Sequence, residues 1–172
     1  MRTAPLYQDI LEGPANGCAE WLNTEDNIRI RAAYWLTEQP IGTIIIFPGR
    51  NEYIEKYGRT CKKFSEMRFN SLVIDWRGQG LSDRLLQNYL IGHVDEFTDY
   101  QNDVKAIVKF AEMNELAKPW YLLAHSMGGT IGLRAIKNGL PVEKVIFSAP
   151  MWEIKMHLNH IADSILHLYG RN

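Results

Sequence analysis

The sequence predicts an α/β fold: a mostly parallel sheet with flanking helices. Two observations carry that prediction. Short runs of β-branched and aromatic residues recur along the 172-residue chain, separated by amphipathic segments of helical period. Each separating segment is long enough for the right-handed crossover that joins parallel strands.

Taken in order, residues 1–26 hold Gly13, Pro14 and Gly17 and read as an irregular arm. Residues 27–35, from Asn27 to Trp35, alternate apolar and polar, as a half-exposed antiparallel strand does. A turn at Gln39–Gly42 leads into Thr43–Phe47, whose continuous apolar run predicts a strand buried on both faces. Pro48–Asn51 breaks it. A helix is expected from about Tyr53 to Met67, with Tyr57, Cys61 and Phe64 on one face, then a buried strand at Ser71–Asp75 and a tight loop at Arg77–Gly80. Residues 95–116 form the clearest helix. Phe97, Tyr100, Val104, Ile107 and Ala111 make its apolar stripe, and Asp103, Lys105 and Lys109 fall outside it. A third buried strand follows at Trp120–Ala124, a helix at Ser126–Asn138 with Gly139 suited to the C′ position, and a fourth buried strand at Val145–Ser148.

Composition narrows the function classes. Hydrophobic residues make up 46% and charged residues 23%, and 19 basic against 20 acidic residues leave a net charge of -1 with no basic stripe. Nucleic acid is therefore not an expected partner. Cys18 and Cys61 form no CxxC pair and read as free thiols of a reducing compartment. The N-terminus has no signal-type apolar core, and no run approaches the roughly 18 apolar residues of a membrane span. A cytoplasmic location is the expectation.

Chemistry in such sheets gathers at the carboxyl ends of the strands. Three loops are expected there. In Ala124-His125-Ser126-Met127-Gly128-Gly129, a serine stands between a buried strand and a helix. A serine hydroxyl needs a base to become nucleophilic, and a sharp strand-to-helix turn lifts it to where a base can reach. That turn demands small residues two before and two after the serine, and Ala124 and Gly128 meet the demand. Ser126 is thus the candidate nucleophile; the plainer alternative is an ordinary helix N-cap. The second loop, Phe47-Pro48-Gly49-Arg50-Asn51-Glu52, follows the first buried strand. There the backbone N–H of Arg50 is expected to join that of Met127 in an oxyanion hole, the alternative being a plain Pro-Gly turn. The third loop, Asp75-Trp76-Arg77-Gly78-Gln79-Gly80-Leu81-Ser82, reads as structural.

Together the three loops resemble the serine-hydrolase group that holds bacterial lysophospholipase L2, monoacylglycerol lipase and the serine aminopeptidase S33 domain. The resemblance runs from about residue 25 to the end, and Gly92-His93-Val94-Asp95-Glu96-Phe97-Thr98-Asp99-Tyr100 leans toward the lysophospholipase L2 branch. Pro48 stands where that group has histidine, and Ala124 where it has the first elbow glycine. The resemblance implies the α/β-hydrolase fold, acyl-ester or lysolipid substrates, no cofactor, and a chain order of Ser, then Asp, then His.

Only 46 residues follow Ser126. Residues 151–169 read as an amphipathic helix, with Ile154, Leu158, Ile161, Ile165 and Leu168 forming a stripe that suits core packing, an acyl tunnel or transient contact with a membrane surface, such as the inner membrane; the resemblance implies that residues 151–172 start a cap over a 1–150 core. Asp163 and His167 are four apart and would pair with each other on a helix; the resemblance implies a triad Asp and His far downstream, and therefore a truncated chain. His157, His160 and His167 with Asp163 lack HExxH spacing, and no metal is expected. The competing classes are a catalytically incomplete fragment acting by association and a serine peptidase of the same fold.

Overall fold

The computed structural model describes residues 2–152. The cap segment expected at 151–172 lies outside them apart from its first two residues. A seven-stranded sheet forms the centre: β1 (Arg2–Thr3), β2 (Cys18–Asn23), β3 (Arg29–Trp35), β4 (Thr43–Phe47), β5 (Asn70–Asp75), β6 (Trp120–His125) and β7 (Lys144–Ser148). Their spatial order is β1-β2-β3-β5-β4-β6-β7. The four later strands are mutually parallel, and the three earlier ones extend the sheet antiparallel from β5.

Side-chain alternation along the central strands builds two cores. Ile45 and Phe47 of β4 and Leu72 and Ile74 of β5 face α3 (Tyr100–Met113) and α4 (Met127–Lys137). Ile44, Ile46 and Val73 face the other way, onto Leu11 of α1 (Gln8–Leu11) and Cys61 of α2 (Gly58–Glu66). This double burial is why the segments Ile44–Phe47 of β4 and Leu72–Ile74 of β5 read as unbroken apolar runs. The helix expected from Tyr53 begins as a 3-10 turn at Ile54–Tyr57, and the 95–116 helix as a 3-10 turn at Phe97–Asp99. Helix α4 ends as expected. Gly139 has φ 89°, and the N–H groups of Gly139 and Leu140 donate to the carbonyls of Ile136 and Ala135.

Four expectations need correction. The arm is not irregular, because β2 pairs with β3 along six residues. Strand β3 is not half-exposed: flanked by β2 and β5, it buries even Arg31, which is 1% exposed. Asp103 does not face solvent but lies fully buried on α3. Conversely β7, expected to be buried, pairs only with β6 among the described residues and leaves Ile146 exposed.

Two ion clusters account for the buried charges. The Arg31 guanidinium donates to both oxygens of Glu55 at 2.8 Å, to Asp75 at 2.8 Å and to the Pro5 carbonyl at 3.0 Å. Asp75 also accepts from the N–H groups of Ile54 and Leu81, and Glu55 from that of Tyr7, so the cluster ties down the N-terminal arm. Arg77 bridges the buried Asp103 and the more exposed Asp26. Burial pushes the Asp103 carboxyl up to about 6 against the pull of Arg77. Hydrogen bonds from Arg77, only partly opposed by burial, hold Asp26 well below the ordinary carboxylate range.

Candidate active site

Strand β4 is flanked by β5 on one side and β6 on the other, so consecutive connections leave the sheet in opposite directions at its carboxyl end. A crevice opens at such a switch point. The loop after β4 and the turn after β6 meet there.

Ser126 joins β6 to α4 without an intervening residue. Its backbone has φ 48° and ψ -117°, a region that non-glycine residues rarely enter. An N-cap serine has extended backbone angles and a side chain bonded to the helix N–H groups. Ser126 has neither, since its hydroxyl makes no capping hydrogen bond. The turn is fixed by its main chain instead. The Ser126 N–H donates to the Ser148 carbonyl at 3.1 Å, and the Ser126 carbonyl accepts from Gly129 and Met151, both at 2.9 Å. Gly128 permits the close approach of helix to sheet: a Cβ there would overlap the Phe47 carbonyl oxygen and reach within 2.6 Å of that of Pro48. Ala124 is fully buried at the other small position.

The β4 loop abuts the elbow. A Cβ built on Gly49 would lie 3.1 Å from Cβ of Ser126. Three successive N–H groups on this loop have different fates. The Gly49 N–H donates to Glu52 at 2.6 Å, and the Asn51 N–H donates to the Gln79 amide oxygen at 2.5 Å. The Arg50 N–H between them has no acceptor among the described residues, and neither does the N–H of Met127 at the start of α4. The Arg50 side chain reaches away, to the Gly92 carbonyl at 3.3 Å.

Glu52 and Gln79, which sequence reasoning left without roles, thus hold the loop. Burial opposes charge on Glu52, but hydrogen bonds from Lys56, Tyr57 and Gly49 outweigh it and keep the carboxyl below its ordinary range. The Tyr57 hydroxyl donates to Glu52 at 2.6 Å, and burial and that carboxylate push its own ionisation upward, so it stays a donor. The i,i+4 spacing of Glu52 and Lys56 was one legible signal of this cluster.

The described histidines do not reach Ser126. His125 bonds through Nδ1 to the Ser148 carbonyl at 3.0 Å and faces Glu52 at 3.7 Å through Nε2. His93 pairs with Asp95 at 3.0 Å. A cleft of about 310 Å³ lined by Glu52, Tyr57, Leu123, His125 and Ser148 runs beside the elbow. Among the described residues, no group of three or more His, Cys, Asp or Glu residues could hold a metal ion. No helix among them is long and apolar enough to cross a membrane.

The chain is similar to known proteins in sequence and fold. Lysophospholipase L2 of Escherichia coli strain K12 is 34% identical over 137 residues, which cover 77% of this chain and 39% of that protein. Phospholipase YtpA of Bacillus subtilis strain 168 is 27% identical over 131 residues, covering 75% of this chain and 48% of that one. The chain thus spans less than half the length of these relatives. In three dimensions it is similar to the α/β hydrolase GrgF from Penicillium sp. sh18, with a TM-score of 0.72 and 22% identity over 91% of this chain and 56% of that one. A sequence model described as serine aminopeptidase, S33, matches residues 38–171, a span that includes the loop after β4 and the elbow between β6 and α4. The chain therefore belongs to the serine aminopeptidase S33 family and has the α/β-hydrolase fold.

Proposed function

We propose that the protein is a serine hydrolase of acyl esters, most similar in substrate to the lysophospholipases and monoacylglycerol lipases, with Ser126 as its nucleophile. One observation carries the reading. Ser126 keeps a strained backbone at a strand-to-helix junction while its hydroxyl is left out of the helix cap. Strain of this kind persists only where surrounding structure enforces it, and it clusters at sites of function. The names of the relatives, a lysophospholipase and a phospholipase, supply the substrate class.

In this reading the Ser126 Oγ attacks the ester carbonyl while a histidine from outside residues 2–152 takes its proton. An aspartate, also from outside, orients that histidine. The carbonyl oxygen becomes an oxyanion and receives the N–H groups of Arg50 and Met127, at the positive end of the α4 dipole. Collapse expels the alcohol, which takes the proton back from the histidine. Water then releases the fatty acid by the same steps. The substrate is a small molecule met in the cytoplasm or at a membrane surface, and the chemistry needs no cofactor.

The family description favours a second reading, an amide substrate. Turnover of a lysophospholipid, a monoacylglycerol and an aminoacyl anilide by the full-length protein separates the two. The ester substrates are expected to turn over faster, and Ser126→Ala to lower kcat by roughly 10⁴-fold or more. Preferential anilide cleavage would select the peptidase reading. Undiminished activity of the alanine variant would overturn both.

A further inference from the structure

We propose that Gln79 is a positioning residue of the oxyanion hole, acting through the peptide that follows Arg50; this rests on the assignment of the Arg50 and Met127 N–H groups made above. Gln79 is 4% exposed and sits in the glycine loop after β5, a segment with no direct place in the chemistry. Its side chain nonetheless touches both halves of the hole. The amide oxygen accepts from the Asn51 N–H at 2.5 Å, and the amide nitrogen lies 3.9 Å from the sulfur of Met127.

The effect follows from peptide planarity. An amide N–H moves only with its peptide plane. Glu52 holds the plane before the Gly49–Arg50 peptide through the Gly49 N–H, and Gln79 holds the plane after it through the Asn51 N–H. The central plane, which carries the Arg50 N–H, is thereby fixed from both sides while its own donor stays open. Asn51 adopts φ 59°, in the left-handed region that asparagine enters more readily than most residues with side chains, and the bond to Gln79 helps to hold it. Without that acceptor the Asn51 N–H must seek another, and the peptide that presents the Arg50 N–H turns with it. Contact with Met127 links the same side chain to the second donor.

The test uses the full-length protein and three variants. Gln79→Met keeps the length and the contact with Met127 but removes the acceptor oxygen, with Gln79→Leu as substitute should it not fold. Arg50→Pro deletes the N–H itself and sets the scale, and melting temperatures monitor folding. Gln79→Met is expected to lower kcat about 10- to 100-fold, as displacement of a preorganised donor does. KM should stay within about twofold, the signature of an interaction made only in the transition state. Inhibition by a trifluoromethyl ketone, whose adduct carries an oxyanion, should weaken by the same factor as kcat/KM. A loss confined to KM, or an unchanged kcat alongside a defective Arg50→Pro, would overturn the role of Gln79 alone. A fully active Arg50→Pro would remove the oxyanion assignment and the role of Gln79 with it.

Discussion

The ion cluster around Arg31 and the elbow around Ser126 sit at the same end of the sheet, where β4, β5 and β6 finish. They treat their polar groups in opposite ways. Around Arg31 every carboxylate oxygen has a partner: Glu55 and Asp75 between them accept from the guanidinium and from three backbone N–H groups. At the elbow, the Ser126 hydroxyl and the N–H groups of Arg50 and Met127 have no partner among the described residues. Their immediate neighbours, the N–H groups of Gly49 and Asn51, are held by buried side chains. Saturation marks groups that build the fold, since unpaired buried polar groups are costly. Open groups on a rigid frame are available to a ligand. Comparing the two regions separates architecture from chemistry, although both are rich in polar residues.

That contrast can be broken by variants whose effects fall on one side only. The largest stability effect is expected at Arg31. Arg31→Met strands two carboxylates that are at most 1% exposed, and should cost roughly 3–5 kcal/mol in urea unfolding. A loss under about 1 kcal/mol would show that the cluster is not structural. Ser126→Ala, by contrast, relieves rather than strands a polar group and should leave unfolding within about 0.5 kcal/mol of the parent. A modest, pH-dependent effect is expected at Asp26, whose side chain is 38% exposed. Its native pKa is depressed below 3.8, mainly by hydrogen bonds from Arg77, so its stabilisation is present above that value and fades as pH falls through the lower native one. Asp26→Asn should therefore cost about 0.5–1 kcal/mol at pH 7, solvent screening included, and nearly nothing at the acid limit. A cost independent of pH would point to lost packing instead of lost charge.

Much of this architecture was legible because local pattern and burial coincide in the central strands. Thr43–Phe47 is apolar at four of five positions because both its faces are covered. The elbow was legible because Ser126 lies between two such unmistakable elements. Strand β2 was not, since Cys18-Ala19-Glu20-Trp21-Leu22-Asn23 carries Glu20 mid-strand and owes its order to β3 beside it. The burial of Arg31 and Asp103 was not legible because their partners lie far along the chain: 24 and 44 residues away for Arg31 and 26 for Asp103. The roles of Glu52 and Gln79 were hidden for a related reason. Each acts on a backbone N–H, and a sequence does not reveal which amide a side chain meets. Gln79 in particular reaches across 28 residues to a loop whose shape it helps to set.

The central claim is that Ser126 is a chemically competent nucleophile in the family to which the chain belongs. The most direct measurement is treatment of the full-length protein with a fluorophosphonate, followed by peptide mass spectrometry. The account predicts one stoichiometric adduct, on the Ser126 Oγ, absent from Ser126→Ala. An unlabelled but folded full-length protein, or an adduct on another residue, would contradict it and leave the elbow as a remnant that works only by association.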